Sequence, residues 1–439
     1  MKRSVSIVGL GRLGAPMAAC FASKGHDVVG VDIREDVVDA INRGVAPVFE
    51  PGLDETIAQN ADRLRATLSY EDAIAETDIT FVVVATPSAS DGGFSLRYVL
   101  PVCAEIGTQL KKKDDHLVVL TSTVMPGSTG GEVREALEAS SGRTAGSDFG
   151  LCYNPEFIAL GTVLKDLVTP DFVLVGETDE RSGKTLESFY STIHDAPVVR
   201  MNTVNAEIAK LAVNTFVTTK ISFANMVAGI CERLPHADVD VVTSALGRDR
   251  RIGSSYLKGA LGYGGPCFPR DNVALSALAR DLDAPSELAA ATDALNRDQV
   301  PRVAALVAAR VASGATVAVL GLSYKPDTDV VVESQGVLLA RALIEAGFAV
   351  MVHDPAAMTA AEPLLAEARF VASAQEGADA ADAVVLATPW SEYGDVVWDS
   401  AASDEKRKVV IDCWRMLDET KLGSGVDYVA VGRGGSTSE

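Results

Sequence analysis

The chain has 439 residues, 47% hydrophobic and 23% charged, with a formal net charge of −21. That length exceeds one ordinary domain and predicts two or three, and the apolar content excludes a disordered chain. The negative charge argues against a general nucleic-acid or membrane surface, but leaves room for an anionic small molecule held by a local group of Arg and Lys.

The amino-terminal stretch MKRSVSIVGLG runs straight into a strand pattern without a secretory apolar core, and runs such as 79–85 are too short to span a bilayer. A cytoplasmic protein is expected. The segment 5–8 reads as a strand, 15–23 as a helix of small residues, and 28–31 as a valine-rich strand ending at Asp32. Further strands are predicted at 79–85, 117–120 and 172–175, so the first part should be a mostly parallel sheet covered on both faces. From 206 to about 234 the pattern is helical without a strong breaker, and more helix is predicted at 272–282 and 285–295. The last third repeats the first, with strands at 316–320, 350–352 and 383–387, and the segments ending at Pro87 and Pro389 share Ala-Thr-Pro. The fold class expected is α/β, with two Rossmann-like doubly wound domains joined by a helical connector. The expected division is 1–195 for a dinucleotide-binding domain, 196–300 for the connector, 301–430 for a second α/β domain, and 431–439 for a flexible tail.

Gly9-Leu10-Gly11-Arg12-Leu13-Gly14 lies between a predicted strand and a predicted helix, the context that a dinucleotide turn requires. The first glycine permits the turn, the second lets the backbone approach a pyrophosphate, and the third lets helix and strand pack closely. Asp32 can accept hydrogen bonds from the ribose hydroxyls and would repel the extra phosphate of NADP, so NAD is the expected cofactor. The second α/β domain offers Gly321 followed by Leu-Ser-Tyr-Lys-Pro, without the third glycine, and is expected to bind something other than a second dinucleotide.

The six cysteines, Cys20, Cys103, Cys152, Cys231, Cys267 and Cys413, show no CxxC spacing and suggest neither a disulfide framework nor a zinc site; no metal is expected. Five read as small buried hydrophobes. Cys267 differs, because it sits in Gly262-Tyr-Gly-Gly-Pro-Cys-Phe-Pro-Arg-Asp271, at a predicted loop-to-helix start where amides and cations can stabilise a thiolate. Such a thiolate could attack an aldehyde, forming the adduct from which a second hydride can leave. Lys210 and Asn214, four apart, project from one helix face and could bind an oxyanion. Glu156 in Tyr-Asn-Pro-Glu-Phe and Thr123 in Ser-Thr-Val-Met-Pro-Gly follow strands, where α/β sites are built, and could supply a base and an ordered water. The basic stretch Arg248-Asp249-Arg250-Arg251 reads as a solvated face or as part of an anion site.

Taken together, GLGRLG, EPGL at 50–53, STVMPG, NPEF, AEIAKLAVNTF, RRIG at 250–253, GYGGPCFPRD, GLSYKPDTD and IDCWR resemble the UDP-glucose/GDP-mannose dehydrogenase family over nearly the whole chain. The resemblance implies oxidation of C6 of a nucleotide sugar to a carboxylate with two NAD. It implies Cys267 as nucleophile through a thiohemiacetal and a thioester, Lys210 as oxyanion stabiliser, Asn214 and Asp271 as positioning water and assisting proton transfer, and Glu156 and Thr123 in the oxidative and hydrolytic steps. Cofactor contacts would come from Gly9, Gly11, Arg12, Leu13, Gly14, Asp32, Thr86, Thr123 and Arg270. Substrate contacts would come from Glu156, Phe157, Lys210, Asn214, Tyr256, Gly264, Lys325 and, across a homodimer built on the helix around Lys210, Arg251.

Three positions depart from the family pattern: Leu160 stands where Glu is common, Arg270 where Lys is common, and Val332 where an arginine is expected. The loop GGPCFPRD favours an unacetylated hexose, with UDP-glucose first and GDP-mannose as rival. Two other classes share parts of this pattern: a β-hydroxyacid dehydrogenase making one NADH per product, and a nonenzymatic nucleotide-sugar or NAD sensor.

Overall fold

The computed structural model describes residues 3–398 and 407–435, and the chain forms two compact units, 1–212 and 213–439. The first unit carries eight strands: β1 (Ser4–Val8), β2 (Asp27–Val31), β3 (Leu64–Thr67), β4 (Ile79–Val82), β5 (Leu117–Leu120), β6 (Gly150–Tyr153), β7 (Val173–Glu177) and β8 (Val198–Asn202). They lie in the order β3-β2-β1-β4-β5-β6-β7-β8, parallel throughout except where β7 runs antiparallel to β6. Strands β1, β4 and β5 are almost wholly buried, on both faces, as a sheet covered by helices demands. The doubly wound architecture expected from the strand and helix texture is therefore present.

The register places the functional turn. Val8 of β1 pairs with Val31 of β2, so the two strands end side by side, and the amide of Gly9 donates to the Val31 carbonyl at 2.8 Å. Gly9 is left-handed (φ +96°), and a Cβ at Gly14, in the first turn of the following helix Gly14–Ser23, would lie 1.8 Å from the Gly9 carbonyl oxygen. Only glycine allows the helix to start this close to the strand.

The second unit contains the end of the long helix Thr203–Cys231, helices Val239–Gly247, Phe268–Asp281, Glu287–Arg297 and Gln299–Ala308, and a second sheet. Its strands are β9 (Thr316–Leu320), β10 (Ala349–His353), β11 (Arg369–Phe370), β12 (Ala383–Leu386), β13 (Lys408–Asp412) and β14 (Val426–Ala430), all parallel in the order β11-β10-β9-β12-β13-β14. Of the tail expected to be flexible, 431–439, residues 436–439 lie outside the described residues; in the described part the Gly432 amide donates to Glu232 at 2.8 Å and the Gly434 amide to the Ala237 carbonyl at 2.9 Å.

The second sheet repeats the turn of the first, which corrects the reading of its glycines. Gly321 is left-handed (φ +110°), and a Cβ at Gly336 would fall 1.9 Å from its carbonyl oxygen, so Gly336 takes the part of Gly14. The third glycine is present, displaced along the sequence by the intervening segment 323–334. Asp354, at the end of β10, accepts the Leu322 amide at 2.7 Å, as Asp32 accepts that of Leu10 at 2.8 Å. The two carboxylates differ in availability. Asp354 is 1% exposed, and its oxygens are taken by Leu322, Ser323, Ala356, Ala357 and the Trp390 indole. Asp32 is half-buried and accepts the amides of Leu10 and Arg34, which leaves acceptor capacity for ribose hydroxyls. The second turn keeps the Rossmann geometry with its ribose acceptor already consumed by the fold.

Candidate active site

In the first unit, three loops follow the carboxyl ends of the parallel strands β4, β5 and β6. After β4, Thr86 donates through Oγ1 to the Thr123 carbonyl at 2.7 Å, so two residues singled out from sequence are joined. Ser122 ties the same two loops together, accepting from the Val84 amide at 3.0 Å and donating to the Val84 carbonyl at 2.6 Å. Glu207, fully buried in the helix Thr203–Cys231, accepts the amides of Gly127 at 2.6 Å and Thr129 at 2.8 Å, fixing the end of the Ser-Thr-Val-Met-Pro-Gly loop. Burial pushes the Glu207 carboxyl upward, and the two amides pull it back.

After β6, the Lys210 ammonium donates to the Glu156 carbonyl at 2.7 Å and lies 4.8 Å from the centre of the Phe157 ring. Phe157 packs on Phe172 with ring centres 5.1 Å apart. Burial pushes the Glu156 carboxyl up to about 7, against the pull of the neighbouring Tyr190 hydroxyl and, more weakly, of the Lys210 ammonium. The Glu of the EPGL segment has an unexpected task. Glu50, buried, accepts the amides of Gly161 at 2.7 Å and Val163 at 2.8 Å, and so anchors the loop that carries Glu156. Glu50→Ala should leave both amides unpaired and cost about 2–3 kcal/mol, read as a lowered midpoint in urea with the slope unchanged. A variant as stable as the parent would show that water satisfies those amides.

In the second unit, Cys267 is exposed, whereas the other five cysteines are buried. It holds the position before the first turn of helix Phe268–Asp281, where the amides of Phe268 and Arg270 point outward and Pro269 has none. Asp271, fully buried one turn in, accepts from Asn214 Nδ2 at 2.6 Å and from the Arg270 guanidinium at 3.3 Å. Residue 272 supports this pair: Asn272 Nδ2 donates to Thr218 Oγ1 at 2.9 Å and to the Tyr263 hydroxyl at 2.8 Å. Asn296 pins the backbone of Tyr263 at both ends, at 2.7 and 3.0 Å. The Val332 carbonyl accepts the Gly265 amide at 2.9 Å, so the position lacking the expected arginine still braces the cysteine loop through its backbone.

Other predicted contacts lie on the surface of this unit. Tyr256 is left-handed (φ +63°) and meets Phe268 edge-on at 6.3 Å. The Arg251 side chain is 88% exposed and folds back on Asp249 at 2.6 Å. Glu50, Glu207, Ser122, Asn272 and Asn296 were not foreseen. Glu50 and Glu207 carried a signal, each being an acidic residue inside an otherwise apolar or glycine-rich motif.

A parallel sheet with this turn, a half-buried Asp32 and space above Gly11, where a Cβ would meet nothing within 4 Å, fits a dinucleotide; the fold and site define an NAD-dependent oxidoreductase with an exposed loop cysteine. Three family models match in order: the UDP-glucose/GDP-mannose dehydrogenase family NAD binding domain over residues 3–194, its central domain over 204–298, and its UDP binding domain over 318–419. The chain belongs to that family of NAD-dependent nucleotide-sugar dehydrogenases. It is 38% identical to a UDP-glucose 6-dehydrogenase of Haloferax volcanii over 97% of this chain and 99% of that one. It is also 38% identical to a GDP-mannose 6-dehydrogenase of Pseudomonas syringae, over 80% of each. Among solved structures, a UDP-glucose dehydrogenase of Pyrobaculum islandicum matches with a TM-score of 0.89 and 36% identity, covering 99% of this chain and 98% of that one. Among the described residues, no helix is long and apolar enough to cross a membrane.

Proposed function

We propose that the protein is a cytoplasmic, homodimeric UDP-glucose 6-dehydrogenase that converts UDP-glucose to UDP-glucuronate in two oxidations. The observation that carries the reading is the exposed Cys267 at a helix start, four residues before the buried Asp271–Asn214 pair. The choice of sugar nucleotide is supported by coverage: the Haloferax relative aligns over 99% of its length, the Pseudomonas GDP-mannose enzyme over 80%.

Bound NAD supplies the hydride acceptor for each oxidation. In the first, C6 loses a hydride and its hydroxyl loses a proton, and the Lys210 ammonium stabilises the oxygen anion. Cys267 Sγ then adds to the aldehyde carbon, and the resulting thiohemiacetal can lose a second hydride to become a thioester. Asn214 and Asp271 position the water that attacks the thioester carbon; the C–S bond breaks, the carboxylate leaves and the thiol is restored. Thr123 and Glu156 order the hydroxyl and water in the oxidative and hydrolytic steps. Gly9, Gly11, Arg12, Leu13, Gly14, Asp32, Thr86 and Arg270 hold the cofactor. Phe157, Tyr256, Gly264 and Lys325 contact the substrate, and Arg251 serves the site of a second copy. Residues 1–195, 196–300 and 301–430 are the cofactor, dimerisation and nucleotide-sugar domains. The exposed Val204, Ile208, Phe216, Phe223 and Ile230 on helix Thr203–Cys231 supply the apolar face for the dimer.

The purified enzyme, offered UDP-glucose and GDP-mannose separately, should form two NADH per UDP-glucuronate and prefer UDP-glucose at least about tenfold in kcat/KM. One NADH per product would indicate a single oxidation of the β-hydroxyacid type. A preference for GDP-mannose would reassign the sugar, and binding without NAD reduction would make the chain a sensor.

A further inference from the structure

Beneath the loop that carries Glu156 lies a buried hydrogen-bond chain with one permitted direction. Asn154, 1% exposed, donates through Nδ2 to the Leu174 carbonyl at 2.9 Å. A carbonyl can only accept, so the amide orientation is fixed and Asn154 Oδ1 points to the Tyr190 hydroxyl, 2.5 Å away. Oδ1 is likewise an acceptor, and the phenol proton must be spent there. Tyr190 also stands 3.2 Å from Glu156 Oε1, but a phenol has one proton. The Tyr190 oxygen therefore offers Glu156 a lone pair. Two lone pairs facing each other in a half-buried site repel; the contact becomes a hydrogen bond when Glu156 carries the proton and donates it.

Among the described residues, the other groups around this carboxyl do not supply a second donor to Oε1. The Lys210 ammonium, on helix Thr203–Cys231, is bound to the Glu156 backbone carbonyl. Cys20, on helix Gly14–Ser23, is a neutral thiol pushed by burial up to about 12, with Lys24 nearby. His194 stacks on the Tyr190 ring at 5.6 Å, and burial lowers its tendency to protonate. Tyr190 itself is held protonated, burial raising its hydroxyl well above the ordinary value.

We propose that Asn154 and Tyr190 are positioning residues that favour Glu156 as a neutral carboxylic acid, and that in this protonated form Glu156 orients a hydroxyl or water through its second oxygen rather than acting as a general base. The role in orientation rests on the nucleotide-sugar dehydrogenase reading; the protonation state does not. The upward displacement of the Glu156 carboxyl by burial acts in the same direction.

The test is infrared difference spectroscopy of the full-length protein between pH 5 and 9, with Glu156→Gln used to assign the Glu156 band. The wild type should show a protonated-carboxyl stretch at pH 6 that Glu156→Gln lacks and that titrates away near pH 7. Tyr190→Phe removes the acceptor and should move that titration to lower pH by roughly one unit. Asn154→Leu frees the phenol proton to turn toward Glu156 and should move it in the same direction. A Tyr190→Phe midpoint that is unchanged or higher would show that Tyr190 donates to a carboxylate, and the proposal fails. Absence of the band from the wild type at pH 6 fails it equally, whether or not the variants fold. The high-pH limb of kcat, where Glu156 loses its proton, should shift with the spectroscopic midpoint in Tyr190→Phe. If no nucleotide sugar is oxidised at all, the spectra still decide the protonation claim, and the functional reading alone falls.

Discussion

Replacing Cys267 with serine should lower formation of the sugar acid by at least about 1000-fold while leaving NAD affinity and thermal stability as they are. The second oxidation starts from an aldehyde, which has no hydride to give until a nucleophile adds to its carbon. A serine hydroxyl is far less ionised than a thiol, and it forms an ester that is slower to release than a thioester. Stability should be unaffected because Cys267 is exposed at the loop and is not core filling. The same contrast predicts selective chemistry. Burial pushes Cys20 and Cys103 up to about 12 and displaces Cys152, Cys231 and Cys413 upward, so iodoacetamide should alkylate Cys267 first and inactivate the enzyme in step with one modification. Unchanged acid formation by Cys267→Ser, measured as product mass alongside NADH, would rule out the covalent route.

Much of this arrangement could be read from the chain alone because its strongest signals are local. A strand, a glycine turn and a helix within 23 residues leave little room for another fold, and β1, β5 and β9 fall where the apolar runs place them. The four edge strands β3, β8, β11 and β14 escaped, as did the interior strands β6 and β13. An edge strand is buried on one side at most, so LRAT, VVRMN, RF and VDYVA lack the continuous apolar run that marks β4. The second glycine turn escaped for a different reason: Gly336 lies 15 residues after Gly321, where Gly14 lies five after Gly9, and no fixed-spacing pattern spans that gap. Among site residues, Cys267 and Lys210 stand out by type and motif. Glu50 and Glu207 act by accepting backbone amides from loops 111 and 80 residues away, a pairing that only the folded chain reveals.

The glycines of the first turn should separate stability from cofactor binding. At Gly14 an added methyl would meet the Gly9 carbonyl oxygen at 1.8 Å, and that carbonyl has little freedom to retreat. Gly9 is itself left-handed, bonded to Val31, and so close to β4 that its own Cβ position lies 2.4 Å from the Val83 carbonyl oxygen. The strain must be relieved by moving the helix Gly14–Ser23, whose Ala15 to Ala22 are all buried in the core. Gly14→Ala should therefore cost about 3 kcal/mol or more, lower the melting temperature by several degrees, and weaken NAD binding as a consequence. At Gly11 the same methyl meets nothing within 4 Å of protein, and the residue is not left-handed, so the fold has no objection to it. It would, however, stand where the pyrophosphate must approach the backbone. Gly11→Ala should melt within about 1–2 °C of the parent yet bind NAD at least about tenfold more weakly, measured by calorimetric titration. Normal NAD affinity in Gly11→Ala would move the pyrophosphate away from this turn. Parental stability in Gly14→Ala would mean that the helix can withdraw from the strand at little cost. The two variants differ by three positions and one methyl group each, so opposite outcomes in melting and in binding would locate the cofactor on the turn by difference alone.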